Sequence, residues 1–163
     1  SVIPEIVKDI PDFSLLVIGD GPYLPELKKL VNDLKISPHV EFKGYVEDHR
    51  EVEELVSKCA LGIALYDKYD EEGNLSYTYF ADPMKIKVYL AAGIPVMTTD
   101  VPYSSAIIQT HKLGLVIKDR VQIGKSLKAL LSDFGTLHSL KENVLNYSEY
   151  INNFEIYDAL FIS

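Results

Sequence analysis

Lys85 stands where a positive charge is least welcome. It belongs to "DPMKIKVYLAAG", Asp82 to Gly93. The punctuation of that stretch predicts a helix, with Asp82 as N-cap, Pro83 at the first helical position and Gly93 as the stop. Lys85 then falls in the first turn, where the helix dipole opposes a cation by roughly 0.3–1 kcal/mol. Helical side chains lean towards the N-terminus, so the ammonium reaches over the helix entrance rather than away from it. A bound anion would turn this conflict into attraction, and a phosphate is the obvious one. The plainer alternative is that Asp82, three residues earlier, neutralises Lys85. The residues alone leave both open.

A second candidate is "IGDGPY", Ile18 to Tyr23. Gly19 and Gly21 after an apolar run let the backbone turn tightly and approach a ligand, with the next helix aiming free N–H groups outwards. The third glycine of a dinucleotide fingerprint is missing and Pro22 removes a donor, so from this motif alone a plain strand-to-helix turn is the favoured reading. A long polar stretch, "DKYDEEGNLSYTYFAD", exceeds the usual connection length, which favours function. Its acids Asp70, Glu71 and Glu72 read as a solvated turn. Tyr77, Tyr79 and Phe80 read either as stacking surfaces for a base or sugar or, more commonly, as pins holding the loop to the core. The histidines are scattered without metal-ligand spacing, and no metal site is expected. Cys59 lies on an apolar helix face and reads as core. No serine sits in a nucleophile elbow.

These residues need elements to position them. "FSLLVIG", "HVEF", "ALGIALY", "PVMTT" and "LVI" read as buried strands, separated by amphipathic helical patterns. A last helical stretch runs from Val121 towards the end. Strand–helix alternation with apolar strands implies a parallel α/β sheet, doubly wound, whose ligands bind beyond the carboxyl ends of the strands. With 163 residues the chain is expected to be one domain, 1–163. Its net charge of −8 argues against a nucleic-acid partner. The lone cysteine and the lack of a long apolar run point to a cytoplasmic setting without a transmembrane segment. Val2, Ile3, Ile6, Val7 and Ile10 have helical spacing with no start signal before them, so the chain reads as a fragment of a larger protein.

In order along the chain, "LLVIGDGPYLPELKKL", "VEFKGYV" and "DPMKIKVYLAAGIPVMTTD" resemble three signatures of the GT-B glycosyltransferases of the large group 1 family. The match spans most of Phe13 to Lys118, and the ordered set is far more specific than any one piece. It resembles the C-terminal half of such enzymes, a Rossmann-like domain here lacking its first strand. The resemblance implies binding of a nucleotide-diphosphate sugar for transfer to an acceptor sugar, lipid or protein. That acceptor would be held by an N-terminal domain outside this chain. No cofactor beyond this substrate is implied, and the isolated chain is expected to be inactive. The full-length enzyme is expected to be cytoplasmic, with the inner face of the membrane as an alternative place of action.

Carried over by residue, the resemblance sets Gly19 and Gly21 along the donor cleft and the backbone of Tyr45 and Val46 beside the base. It sets Pro83, Met84 and Lys85 against the diphosphate, while no catalytic residue is assigned. Two positions depart from the family pattern. Val88 replaces the glutamate that grips the ribose, and Phe80 replaces an acidic residue nearer the transferred sugar. Lys87, Asp82 or an acid of the preceding loop could compensate, and Asp82 and Lys87 are counted with the site. Two alternatives remain: an epimerase on the same two-domain plan, and a degenerate scaffold that no longer binds donor.

Overall fold

A computed structural model describes residues 2–150 of the chain. The elements run α1 (Ile3–Asp9), β1 (Leu15–Ile18), α2 (Leu24–Asp33), β2 (Val40–Gly44), α3 (His49–Ser57), β3 (Gly62–Ala64), α4 (Tyr77–Phe80), α5 (Met84–Ala91), β4 (Val96–Thr99), α6 (Ser104–Thr110), β5 (Gly114–Ile117), α7 (Ile123–Ser132) and α8 (Phe134–Tyr150). All ladders are parallel. They form two separate sheets, β1–β2 and β3–β4–β5, not hydrogen-bonded to each other.

The three-stranded sheet shows why the architecture is doubly wound. Successive strand residues point to opposite faces, so each strand feeds two cores. Ala64, Val96 and Val116 meet Ile86 of α5, Ile108 of α6 and Val144 of α8 on one face. Ile63, Met97 and Ile117 meet Ile6 of α1 and Leu127 of α7 on the other. Burial on both faces is what continuous apolar strands demand. At Gly114 the ladder allows nothing larger than hydrogen, because a Cβ there would lie 1.9 Å from the Val96 carbonyl oxygen.

β3 is shorter than "ALGIALY" suggests, since side chains replace its ladder after Ala64. The Thr98 hydroxyl donates to the Ala64 carbonyl at 2.7 Å. Thr99 Oγ1 accepts from the Tyr66 amide at 3.0 Å and donates to the Tyr66 carbonyl at 2.9 Å. Two threonines thus continue the sheet beyond its last strand residue and fix where the next loop departs.

Other expectations shift. The stretch from Val121 is two helices, because Asp133 breaks the run. Its carboxylate accepts from the Thr136 amide at 3.0 Å and the Thr136 hydroxyl at 2.7 Å, capping the start of α8. Those bonds hold its carboxyl below the usual range, the Thr136 amide most of all. α1 begins at Ile3 with Pro4 in its first turn, a start signal the hydrophobic spacing alone does not reveal.

Candidate functional site

The loops leaving the carboxyl ends of the strands carry the residues singled out by sequence. At the β1–β2 end, the Gly19 amide donates to the Gly44 carbonyl at 2.7 Å, just past a register shift between Val17 and Ile18. That bond draws the two loops together and sets Gly19, Gly21, Tyr45 and Val46 at one corner. Gly19 (φ 125°) and Gly44 (φ 71°) take backbone conformations that favour glycine. Gly21 does not, and a Cβ there would meet nothing within 4 Å. Neither backbone conformation nor crowding therefore demands glycine at 21. Tyr45 is 74% exposed and Val46 half-buried.

The second corner is the junction of β3 with α5. Here the expected cap is corrected: Pro83, with ψ 127°, is itself the N-cap residue, and α5 starts at Met84. Pro83 has no side chain able to cap, and among the described residues the amides of Met84 and Lys85 have no hydrogen-bond acceptor. Asp82 turns aside and pairs with Lys87 at 2.8 Å. Lys85 therefore has no carboxylate partner among the described residues, and neutralisation by Asp82 does not occur. Its ammonium instead lies 5.3 Å from the centroid of the Tyr66 ring. Val88 is half-buried on the same helix and offers no acceptor.

Tyr66 was not singled out by sequence. Its backbone is gripped by Thr99, and its ring packs against the core that holds Ala64, Ile86 and Val96. Its hydroxyl is buried without a partner among the described residues. Burial pushes the phenol's pKa up to about 12, with Tyr89 adding to the shift, so it stays neutral at physiological pH. The signal available was the pair Thr98-Thr99 in a buried strand, whose hydroxyls must find partners near a strand end.

Between the corners, the stretch from Asp67 to Ala81 is built rather than loose. Tyr69 bridges Leu75, and Asp70 Oδ1 accepts from the amides of Glu72 (3.0 Å) and Asn74 (2.8 Å). Asp70 is thus spent on the turn, as a solvated turn requires. Ser76 caps the short α4, Thr78 Oγ1 donates to the Asp67 carbonyl, and Arg120 pairs with Asp67 across to the β5 end. Lys68 lies over the rings of Tyr69 and Tyr79. Tyr77 and Phe80 are 82% and 70% exposed, so they do not pin the loop to the core. Cys59 lies just past the end of α3 and is half-buried, so it is not the core helix residue expected from sequence, although partial burial still pushes its thiol up. Among the described residues no cluster of His, Cys, Asp and Glu could hold a metal, and no helix is long and apolar enough to cross a membrane.

Comparison with known proteins adds a family and a fold. The family model described as glycosyl transferases group 1 matches residues 1–133. A chitobiosyldiphosphodolichol beta-mannosyltransferase of Yarrowia lipolytica is 24% identical over 137 residues, 84% of this chain and 28% of that protein. A GDP-mannose-dependent alpha-(1-6)-phosphatidylinositol monomannoside mannosyltransferase of Mycobacterium tuberculosis is 28% identical over 134 residues, 74% of this chain and 30% of that protein. The chain therefore spans less than a third of the length of these curated relatives. Among solved structures, WaaG, a glycosyltransferase involved in lipopolysaccharide biosynthesis, superposes with a TM-score of 0.72 at 19% identity, covering 98% of this chain and 42% of that one. Anabaena HepE, in complex with UDP, superposes at 0.65 with 14% identity, covering 98% and 44%. At these identities the superpositions speak for the fold alone.

Proposed function

Since the chain belongs to the group 1 glycosyltransferases, we propose that its share of glycosyl transfer is to bind the nucleotide-diphosphate sugar, with the diphosphate at the start of α5. The observation that carries this reading is the pairing of Asp82 with Lys87, which leaves Lys85 and the first-turn amides of α5 unclaimed. An uncapped helix start beside an unpaired cation is a ready anion site, since dipole, N–H groups and ammonium act in the same direction. Pro83, Met84 and Lys85 line that entrance, while Gly19, Gly21, Tyr45 and Val46 supply the corner for the base and ribose. As the sugar leaves, charge builds on the diphosphate, and these fixed donors stabilise it. This requires no metal and no further cofactor from these residues.

The acceptor belongs to a part of the enzyme beyond this chain. The names of both curated relatives, one a diphosphodolichol and one a phosphatidylinositol mannosyltransferase, favour an acceptor carried on a lipid. The full-length enzyme would then work at a membrane face. The donor is a nucleoside-diphosphate sugar, and GDP and UDP are the two nucleotides named with the compared proteins.

Calorimetric titration of the full-length protein with GDP and with UDP tests the reading. Loss of a charge-assisted contact of about 1.5–3 kcal/mol should weaken the better ligand at least roughly tenfold in Lys85→Ala, because 1.4 kcal/mol is one decade. Unchanged affinity would remove Lys85 from the site. The presence of Val88 in place of a ribose-gripping acid favours a second reading, a scaffold that binds no donor. Absence of binding by both nucleotides would select it.

A further inference from the structure

We propose that Tyr66 is a positioning residue for this site: its ring is the platform that holds the Lys85 ammonium over the diphosphate-binding entrance. The inference rests on the reading above and assigns a role to a side chain that reading does not need. An exposed lysine on a flexible four-carbon stem loses much rotamer freedom when a ligand fixes it. Here the ammonium already lies 5.3 Å from the Tyr66 centroid, within the range where the negative ring face attracts a cation. The ordering cost is then met largely before the ligand arrives, which is how preorganisation raises affinity.

The platform itself is held from three sides. Thr99 Oγ1 takes the Tyr66 amide and gives to its carbonyl, at 3.0 and 2.9 Å, so the backbone is fixed at both polar groups. The ring edge packs on the core cluster of Ala64, Ile86 and Val96. Ile86 is the residue after Lys85, so one helical turn seats both the platform and its cation. The hydroxyl is buried and has no hydrogen-bond partner among the described residues, so it does not hold the ring in place through them. Burial also keeps it protonated, so the attraction is to a ring and not to a phenolate.

The ring and not the hydroxyl should therefore matter, which separates positioning from mere packing. Full-length Tyr66→Phe, Tyr66→Leu and Tyr66→Met are titrated with GDP and UDP alongside Lys85→Ala, with thermal melts of each. Tyr66→Phe should bind as the parent does, whereas Tyr66→Leu should bind about three- to tenfold more weakly. Tyr66→Met, which keeps length and apolar contact, should show the same loss and guards against a Leu variant that fails to fold. In a Lys85→Ala background, Tyr66→Leu or Tyr66→Met should cost nothing further, because the residue the ring positions is gone. Equal losses with and without Lys85 would overturn the proposal while leaving the diphosphate reading intact. Unchanged binding in Lys85→Ala, or no nucleotide binding by the parent, would overturn both.

Discussion

β4 and β1 are both four-residue strands, yet β4 buries all of Val96–Thr99 and β1 buries none of Leu15–Ile18 fully. The difference lies in their neighbours. β4 has β3 and β5 on its edges and helices on both faces, while β1 is hydrogen-bonded to β2 alone. Outside the first pair, α2 leaves Leu27 and Leu30 exposed. The candidate site is divided the same way: the corner at the start of α5 stands on the firm sheet, and Gly19, Gly21, Tyr45 and Val46 stand on the lighter one. Strength of burial thus tracks the two functions proposed. The corner proposed for the diphosphate stands on a fully buried strand, and the corner proposed for the base stands on a half-buried one.

Glycine substitutions should break this comparison most visibly. Gly114→Ala forces a Cβ to within 1.9 Å of a backbone oxygen that cannot swing aside, so loss of about 4 kcal/mol or more is expected in chemical denaturation. Gly21→Ala meets nothing and should stay within about 0.5 kcal/mol of the parent. A mild effect at Gly114 would show that the β4–β5 contact yields. A smaller and sharper contrast uses one substitution twice. Val96→Ala empties a fully buried site and should cost about 2 kcal/mol, two methyls' worth of transfer energy plus a cavity. Val17→Ala on β1 should cost under about 1 kcal/mol, since its site is half-open already. Equal losses would mean that the two sheets are equally well packed and the comparison fails.

Much of the fold can be read in the residues. Apolar runs locate all five strands, and Gly93 marks the end of α5 because it takes φ 74° there. What escapes is decided by contacts distant in sequence. The helical i, i+3 rule pairs Asp82 with Lys85, but it holds only when both residues are helical. Pro83 is extended, which sets Asp82 off the helix and within reach of Lys87. The Tyr66 backbone is held by Thr99, thirty-three residues away, and no local pattern links them. The break at Asp133 is legible in hindsight, because an acid three residues before a threonine is a cap signal that apolar periodicity overrides. For the candidate site, sequence singles out the strand-end loops and Lys85, while the ring that lies beside that lysine comes only from the fold.

The most direct test of the central claim follows backbone amide resonances in the full-length protein as GDP or UDP is added. If the diphosphate docks at the start of α5, the amides of Met84 and Lys85 gain acceptors that they lack among the described residues. They should show the largest shifts in the chain and slower hydrogen exchange, with smaller changes at Tyr45 and Val46. Saturation of the protein with nucleotide while Met84 and Lys85 stay unmoved would contradict the account.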